Sequence, residues 1–290
     1  TVWQKLARNW AVRIGGVAML LLALVALAAP VMGTVDPTLF DPGSRDLLPG
    51  GEGEITTLEG ETIQHTFLMG SDSFGRDIYS RVLYGTRVSL LIGFGSTLLA
   101  LAIGLTLGIT AAWHGGWIDA LIMRIADILF SFPSLLLAIF VMAILGEKTF
   151  NVVFAIGVVY IPQFARISRG AILTIKSSEF VRAAASNGAS RTYTLFRHLL
   201  PNIIVPLIVQ VSLSLSVAIL LESSLSFLGL GVQPPYPSWG NMLSTARKVM
   251  MIAPWTAIYP GLAIVFLVLG FNLLGDGLRD ILDPRLKNVR

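Results

Sequence analysis

The residues best placed to do work in this chain form one polar stretch between long apolar runs, Glu179 to Pro201, EFVRAAASNGASRTYTLFRHLLP. Its chemistry would be mechanical recognition rather than bond making. Ala183, Ala184 and Ala185 favour a short helix of little bulk, which can enter a cleft on another protein and transmit a push. Gly188 permits a tight turn or a close backbone approach. Pro201 is expected to keep a second short helix from running unbroken into the apolar run beyond it. Glu179 and Arg182 stand one helical turn apart, within reach of each other. The competing use of such a stretch is an amphipathic helix lying at the membrane interface with no partner.

Bond-making chemistry finds few candidates. The chain has no cysteine, which removes thiolate metal sites, cysteine nucleophiles and disulfides. His65, His114 and His198 are too far apart for a zinc motif of the H-E-x-x-H kind. No Gly-Lys dipeptide occurs, so the chain lacks a G-x-x-x-x-G-K-[ST] phosphate loop and any ATP must be hydrolysed on another chain. An intramembrane protease would need a nucleophile with its base, or paired aspartates at membrane depth, and Asp127 has no second aspartate beside it.

Polar groups inside apolar runs are informative because in lipid each needs a partner or a polar cavity. Residues 203–221 include Gln210, Ser212, Ser214 and Ser216, and Glu222 follows. A spacing of four puts Gln210 with Ser214 on one helix face and Ser212 with Ser216 on another. These five are candidates to line a path, with helix-to-helix hydrogen bonding as the alternative. Arg124 and Asp127 are spaced to pair with each other, and Pro133 should bend its helix. Gly104 and Gly108 form a G-x-x-x-G pair that lets two helices approach closely. Asp72, Arg76, Asp77, Arg81 and Arg87 alternate in sign, which suggests a salt-bridged interfacial helix.

The elements that must position these groups are membrane spans. Of the 290 residues 54% are hydrophobic and 13% charged, about half the charge a soluble surface needs. Six runs approach the roughly 20 apolar residues of a span: 14–32, 88–113, 128–145, 152–165, 203–221 and 258–274. The fourth is short and should extend past Arg166, whose stem can snorkel. Residues 1–33 also suit a cleavable secretory leader, but the apolar run exceeds the usual 7–15 residues and favours a retained span. With the N-terminus in the cytoplasm, Lys and Arg divide two to one toward that side, which also receives 179–201 and the C-terminus. The basic balance, with a pI near 9.6, therefore suits membrane orientation better than nucleic acid. The result is an all-α polytopic protein. Its parts are 1–33, an extracytoplasmic loop region at 34–87, a five-helix core at 88–275 containing the cytoplasmic loop 176–201, and a cytoplasmic tail at 276–290. A second external segment, 222–257, carries prolines that favour a rigid re-entrant or surface loop.

The pattern Arg182, Ala183, Ala184, Gly188, Leu200, Pro201 resembles E-A-A-x-x-x-G-x9-I-x-L-P, the loop by which bacterial ABC import permeases engage their ATPase subunits. Arg182 replaces its Glu and His198 its Ile, so Glu179, one turn earlier, is left to supply part of the acidic role. Three further stretches resemble the second permease subunit of peptide-type importers: GSDSFGRDIYSRVLYGTRVSL at 70–90, ESSLSFLGLGVQPPYPSWGNML at 222–243 and NLLGDGLRDILDPRLK at 272–287. The resemblance implies a type I ABC importer permease fold with six transmembrane helices in the bacterial inner membrane. It implies a sister permease, two ABC ATPase subunits and an extracytoplasmic solute-binding protein as partners. It implies no cofactor in this chain, with ATP and Mg held by the ATPases. Solutes of such permeases include peptides, glutathione, nickel complexes and opines; a scaffold or receptor subunit without transport is the rival class.

Overall fold

The structure, a computed structural model, describes residues 8–57 and 59–282. Helix α1 (Trp10–Ala28) is capped by Asn9, whose side-chain oxygen accepts from the N–H groups of Ala11 and Val12 at 2.9 and 3.2 Å, and it ends in a 3-10 turn at Ala29–Val31. It packs on the last helix, α10 (Trp255–Leu282). Glycine makes that contact possible: a Cβ on Gly15 would lie 2.6 Å from the Leu274 nitrogen. α10 runs eight residues past the expected end of the sixth span, so part of the expected tail is helical. Lys5 and residues 283–290, with the end of the third family-like stretch, lie outside the described residues.

Helix α2 (Ile78–His114) corrects the expectation of a short interfacial helix followed by a span at 88–113. It is a single helix of 37 residues. At 1.5 Å per residue it is about 55 Å long against a hydrocarbon core of about 30 Å, so its first turns stand outside the membrane. Asp77 caps it, its Oδ2 accepting from the Ser80 N–H at 2.8 Å. Asp72 and Arg76 sit in the turn before it and form an ion pair at 2.7 Å.

The third span is not one bent helix. Helices α3 (Gly116–Ser131) and α4 (Ser134–Leu145) meet at 98°. Pro133 has no N–H to continue α3 and forces Phe132 into extended backbone, φ −85° and ψ 139°, which breaks the helix outright. Among the described residues, five single helices are long and apolar enough to cross a membrane; this broken pair makes a sixth.

Helix α5 (Thr149–Lys176) passes Arg166 as expected, and it packs along α2. The approach is close because Gly104 and Gly108 face it. A Cβ on Gly104 would meet the Phe164 Cβ at 2.5 Å and the Ile161 carbonyl at 2.7 Å. Two short helices follow, α6 (Glu179–Ser186) and α7 (Arg191–Thr194), then a π-helical segment at Leu195–Leu199 and α8 (Leu200–Phe227). Buried side chains of α2, α5 and α8, including Ile92, Ile156, Phe164 and Ile203, form one core cluster. A second gathers α1, α2, α8 and α10 around Trp239 on α9 (Trp239–Ala246).

Residues 34–77, a turn-rich stretch expected to form a small extracytoplasmic loop domain, contain a hairpin. Strands β1 (Gly51–Thr56) and β2 (Thr62–Phe67) pair antiparallel, Gly51 opposite Phe67 and Thr56 opposite Thr62. Period-two alternation exposes Glu52, Glu54 and Thr56 while Ile55 and Phe67 are fully buried. The segment 222–257 is likewise partly helical, through α9. The two large segments assigned to the outer side meet at one end of the bundle: Arg81 Nη1 donates to the carbonyls of Pro37 at 2.7 Å and Pro235 at 3.1 Å, and Trp255 Nε1 donates to that of Ser71 at 3.4 Å.

Candidate functional site

At the opposite end of the bundle α6 and α7 form the tip of a hairpin between α5 and α8. Helix α6 begins where the Arg182 N–H donates to the Ser178 carbonyl at 3.2 Å. It ends in a Schellman-type cap: Gly188 adopts φ +81°, and the Ala189 N–H reaches back to the Ala184 carbonyl at 3.0 Å. That left-handed geometry is the physical reason for glycine here, and nothing crowds it. Ser190 then starts α7, its Oγ accepting from the Tyr193 N–H at 3.2 Å.

Glu179, Arg182, Ala183, Gly188 and Pro201 are exposed, while Ala184 and Leu200 are half-buried. Buried Val181 and Leu199 pin the two arms of the hairpin to the core. Glu179 and Arg182 do not pair with each other; among the described residues neither takes part in an ion pair. The expected stop at Pro201 is also corrected. Helical backbone runs from α7 into α8 through the π segment, where the Leu200 N–H bonds to the Leu195 carbonyl five residues back. Pro201 offers no N–H, and the Asn202 side chain donates to the His198 carbonyl at 2.7 Å. The wider turn accommodates the proline that would have broken a strict α-helix.

Sequence reasoning missed an aromatic set on this tip. Phe180, Tyr193 and Phe196 are 47%, 54% and 63% exposed. The His198 ring stands between two of them, 6.2 Å from Phe180 and 5.7 Å from Tyr193. His198 therefore braces α6 against α7. Exposed aromatics beside small, rigid helices have the character of anchor residues in a protein interface. The signal was legible as three aromatics within 17 residues of an otherwise polar stretch, but only the fold shows that they cluster.

The five candidate path-lining residues are all buried within the chain itself. Gln210 Nε2 donates to Ser214 Oγ at 2.9 Å, as their shared face suggested. Ser212 Oγ donates to the Ile208 carbonyl at 3.1 Å, and Ser216 Oγ lies 3.4 Å from the Val268 carbonyl of α10. Glu222 accepts from Ser226 Oγ at 2.7 Å and from Ser223 Oγ at 3.4 Å. Each of these contacts is made within the chain. Asp127, expected to pair with Arg124, instead accepts from Arg166 Nη2 on α5 at 2.6 Å.

Residues 104–288 match the family model described as binding-protein-dependent transport system inner membrane component. Among curated relatives, the dipeptide transport system permease protein DppC of Alkalihalophilus pseudofirmus is 42% identical, covering 99% of this chain and 90% of the relative. The glutathione transport system permease protein GsiD of Pectobacterium atrosepticum is 45% identical, covering 99% and 91%. The di/tripeptide transport system permease protein DppC of Pseudomonas aeruginosa is 44% identical, covering 99% and 92%. Among solved structures, an inward-facing form of the MetNI methionine ABC transporter aligns with a TM-score of 0.58 at 18% identity, over 70% of this chain and 97% of that one. That likeness speaks to the fold, which is the type I importer permease fold. The family match and the near full-length relatives agree, and this chain belongs to the binding-protein-dependent transport system inner membrane components, the permease subunits of ABC importers.

Proposed function

We propose that this permease carries peptides or glutathione-like small peptides across the bacterial inner membrane, together with a sister permease that forms the other wall of the path. The substrate class rests on the relatives, named for dipeptide, di/tripeptide and glutathione transport. An extracytoplasmic binding protein delivers the solute and two ABC ATPase subunits supply the energy, binding the ATP and Mg that this chain does not hold. The chain itself carries out no catalysis.

The observation that carries this reading is the tip formed by α6, the Gly188 turn and α7: small side chains in front, exposed aromatics beside them, and both arms rooted in spans. ATPase closure pushes this tip, and the push rocks the spans so that the central path opens alternately to each side. Both termini then lie in the cytoplasm, on the side of the Lys and Arg excess. Uptake of radiolabelled dialanine and glutathione tests the proposal in cells with and without the chain. Loss of either uptake on deletion, restored by the wild-type gene, is expected. Undiminished uptake of both directs attention to nickel complexes or opines; absence of transport of any of these supports a scaffold or receptor role.

A further inference from the structure

The two arms that hold the α6–α7 tip are tied to the bundle in different ways. The arm on the α5 side is tied to its neighbours at three points. Arg169 makes a two-pronged bond to Asp119 of α3, Nε to Oδ1 at 2.5 Å and Nη2 to Oδ2 at 2.6 Å. Arg166 bonds to Asp127 of the same helix at 2.6 Å, with its guanidinium 4.5 Å above the Phe130 ring. Lys176 Nζ donates to the last carbonyls of α2, Ala112 at 3.0 Å and Trp113 at 3.4 Å, and sits 5.4 Å over the Trp113 ring. Spacings of three and seven put the three cations on one stripe of α5. Below them α5 ends, and α6 begins three residues on at Glu179.

The other arm is built the opposite way. Between α7 and α8 the backbone runs through the π segment, then Pro201, and Pro206 follows inside α8. Both prolines lack the N–H that would hold the previous turn, and π segments mark places where helices change register. No ion pair among the described residues spans this arm.

We infer that Arg166, Arg169 and Lys176 clamp the cytoplasmic ends of α2, α3 and α5 into one lever that moves with the α6–α7 tip, while the π segment before Pro201 yields and lets α8 lag. This rests on the reading of the tip as the ATPase contact. It makes the three cations and their partners Asp119 and Asp127 positioning residues for transport.

The chain lacks cysteine, so spin labels can be placed by substitution in the complex with its ATPase once partner cysteines are replaced. The exposed sites Ser186, Trp117 and Ile204 mark the tip, α3 and α8. Between nucleotide-free and ATP–vanadate states, the Ser186–Trp117 distance should hold while Ser186–Ile204 changes. The reverse pattern, tip and α8 moving together while α3 stays behind, overturns the inference and leaves the ATPase contact standing. In the double variant Asp119→Asn, Asp127→Asn, the ATPase should still co-purify, but labelled dipeptide imported per ATP hydrolysed should drop several-fold. The exchange Asp119→Arg with Arg169→Asp should keep that ratio near wild type, which separates a geometric clamp from a fold defect. An unchanged ratio in the double variant contradicts the clamp. If no ATPase co-purifies with the wild-type chain, the clamp and the tip's role both fall.

Discussion

The indole Nε1 of Trp239 donates to the Val82 carbonyl at 3.0 Å, joining α9 to the first turns of α2 across 157 residues of sequence. The ring is fully buried, and Gly85 lets its Nε1 edge come close to the helix: a Cβ there would stand 2.9 Å from the ring. Trp239→Ala should therefore lose a large part of the outer core, about 3–5 kcal/mol by the usual cost of removing a buried aromatic side chain. Thermal denaturation in detergent should show it as a lower midpoint. Trp239→Phe, which keeps most of the ring and loses the hydrogen bond, should shift it much less, on the order of 1 kcal/mol.

Arg81 is the other tie at this end. Its side chain is completely buried and reaches the carbonyls of both Pro37 and Pro235. Arg81→Met retains length but cannot donate, so both hydrogen bonds are lost, at about 0.5–1.5 kcal/mol each. Limited proteolysis from the outer face should then cut within 34–77 faster than in wild type, with α2 itself intact. Equal cutting rates would show that the loop region holds without this tie.

At Gly188 the demand is for backbone shape rather than space, since φ is +81° and nothing lies near. Gly188→Ala should cost about 1–2 kcal/mol locally from the left-handed geometry, and Gly188→Asn less, because Asn tolerates that region. The order of ATPase retention during purification should be Gly, Asn, Ala. An Ala variant that retains ATPase as well as wild type would remove the turn from the contact.

Gly104 faces Phe164 and the Ile161 carbonyl with no room for a side chain. Gly104→Leu should push α2 from α5 and destabilise the bundle by about 1–3 kcal/mol or more, as overpacking of a tight interface does. Gly170, on the same helix as Phe164 but with open space around it, is the control; Gly170→Ala should be close to neutral.

Much of this was legible in the sequence because the strongest signals are local. Long apolar runs placed the spans, Gly104 and Gly108 announced a close helix contact, and Ala183 to Gly188 announced a short helix with a tight turn. What was not legible depends on partners distant in sequence. Asp127 had Arg124 three residues away, yet the fold offers it Arg166. Ser216 reaches the Val268 carbonyl of α10, 52 residues away, which no local spacing announces. The hairpin of 51–67 was hidden by glycines that read as loop, although Glu52, Glu54, Ile55 and Phe67 already alternate. Pro201 was read by the rule for strict α-helices, and the π segment is how the chain meets that rule without stopping.

The central claim is that an ATPase works through the 179–201 tip, and mild-detergent purification of the chain from its native membranes tests it most directly. Mass spectrometry should find a phosphate-loop ATPase and a second permease with the wild-type chain, and the ATPase should be lost or depleted with Gly188→Trp. Full recovery of the ATPase with Gly188→Trp, or its absence from the wild-type complex when other membrane complexes survive, would contradict the account.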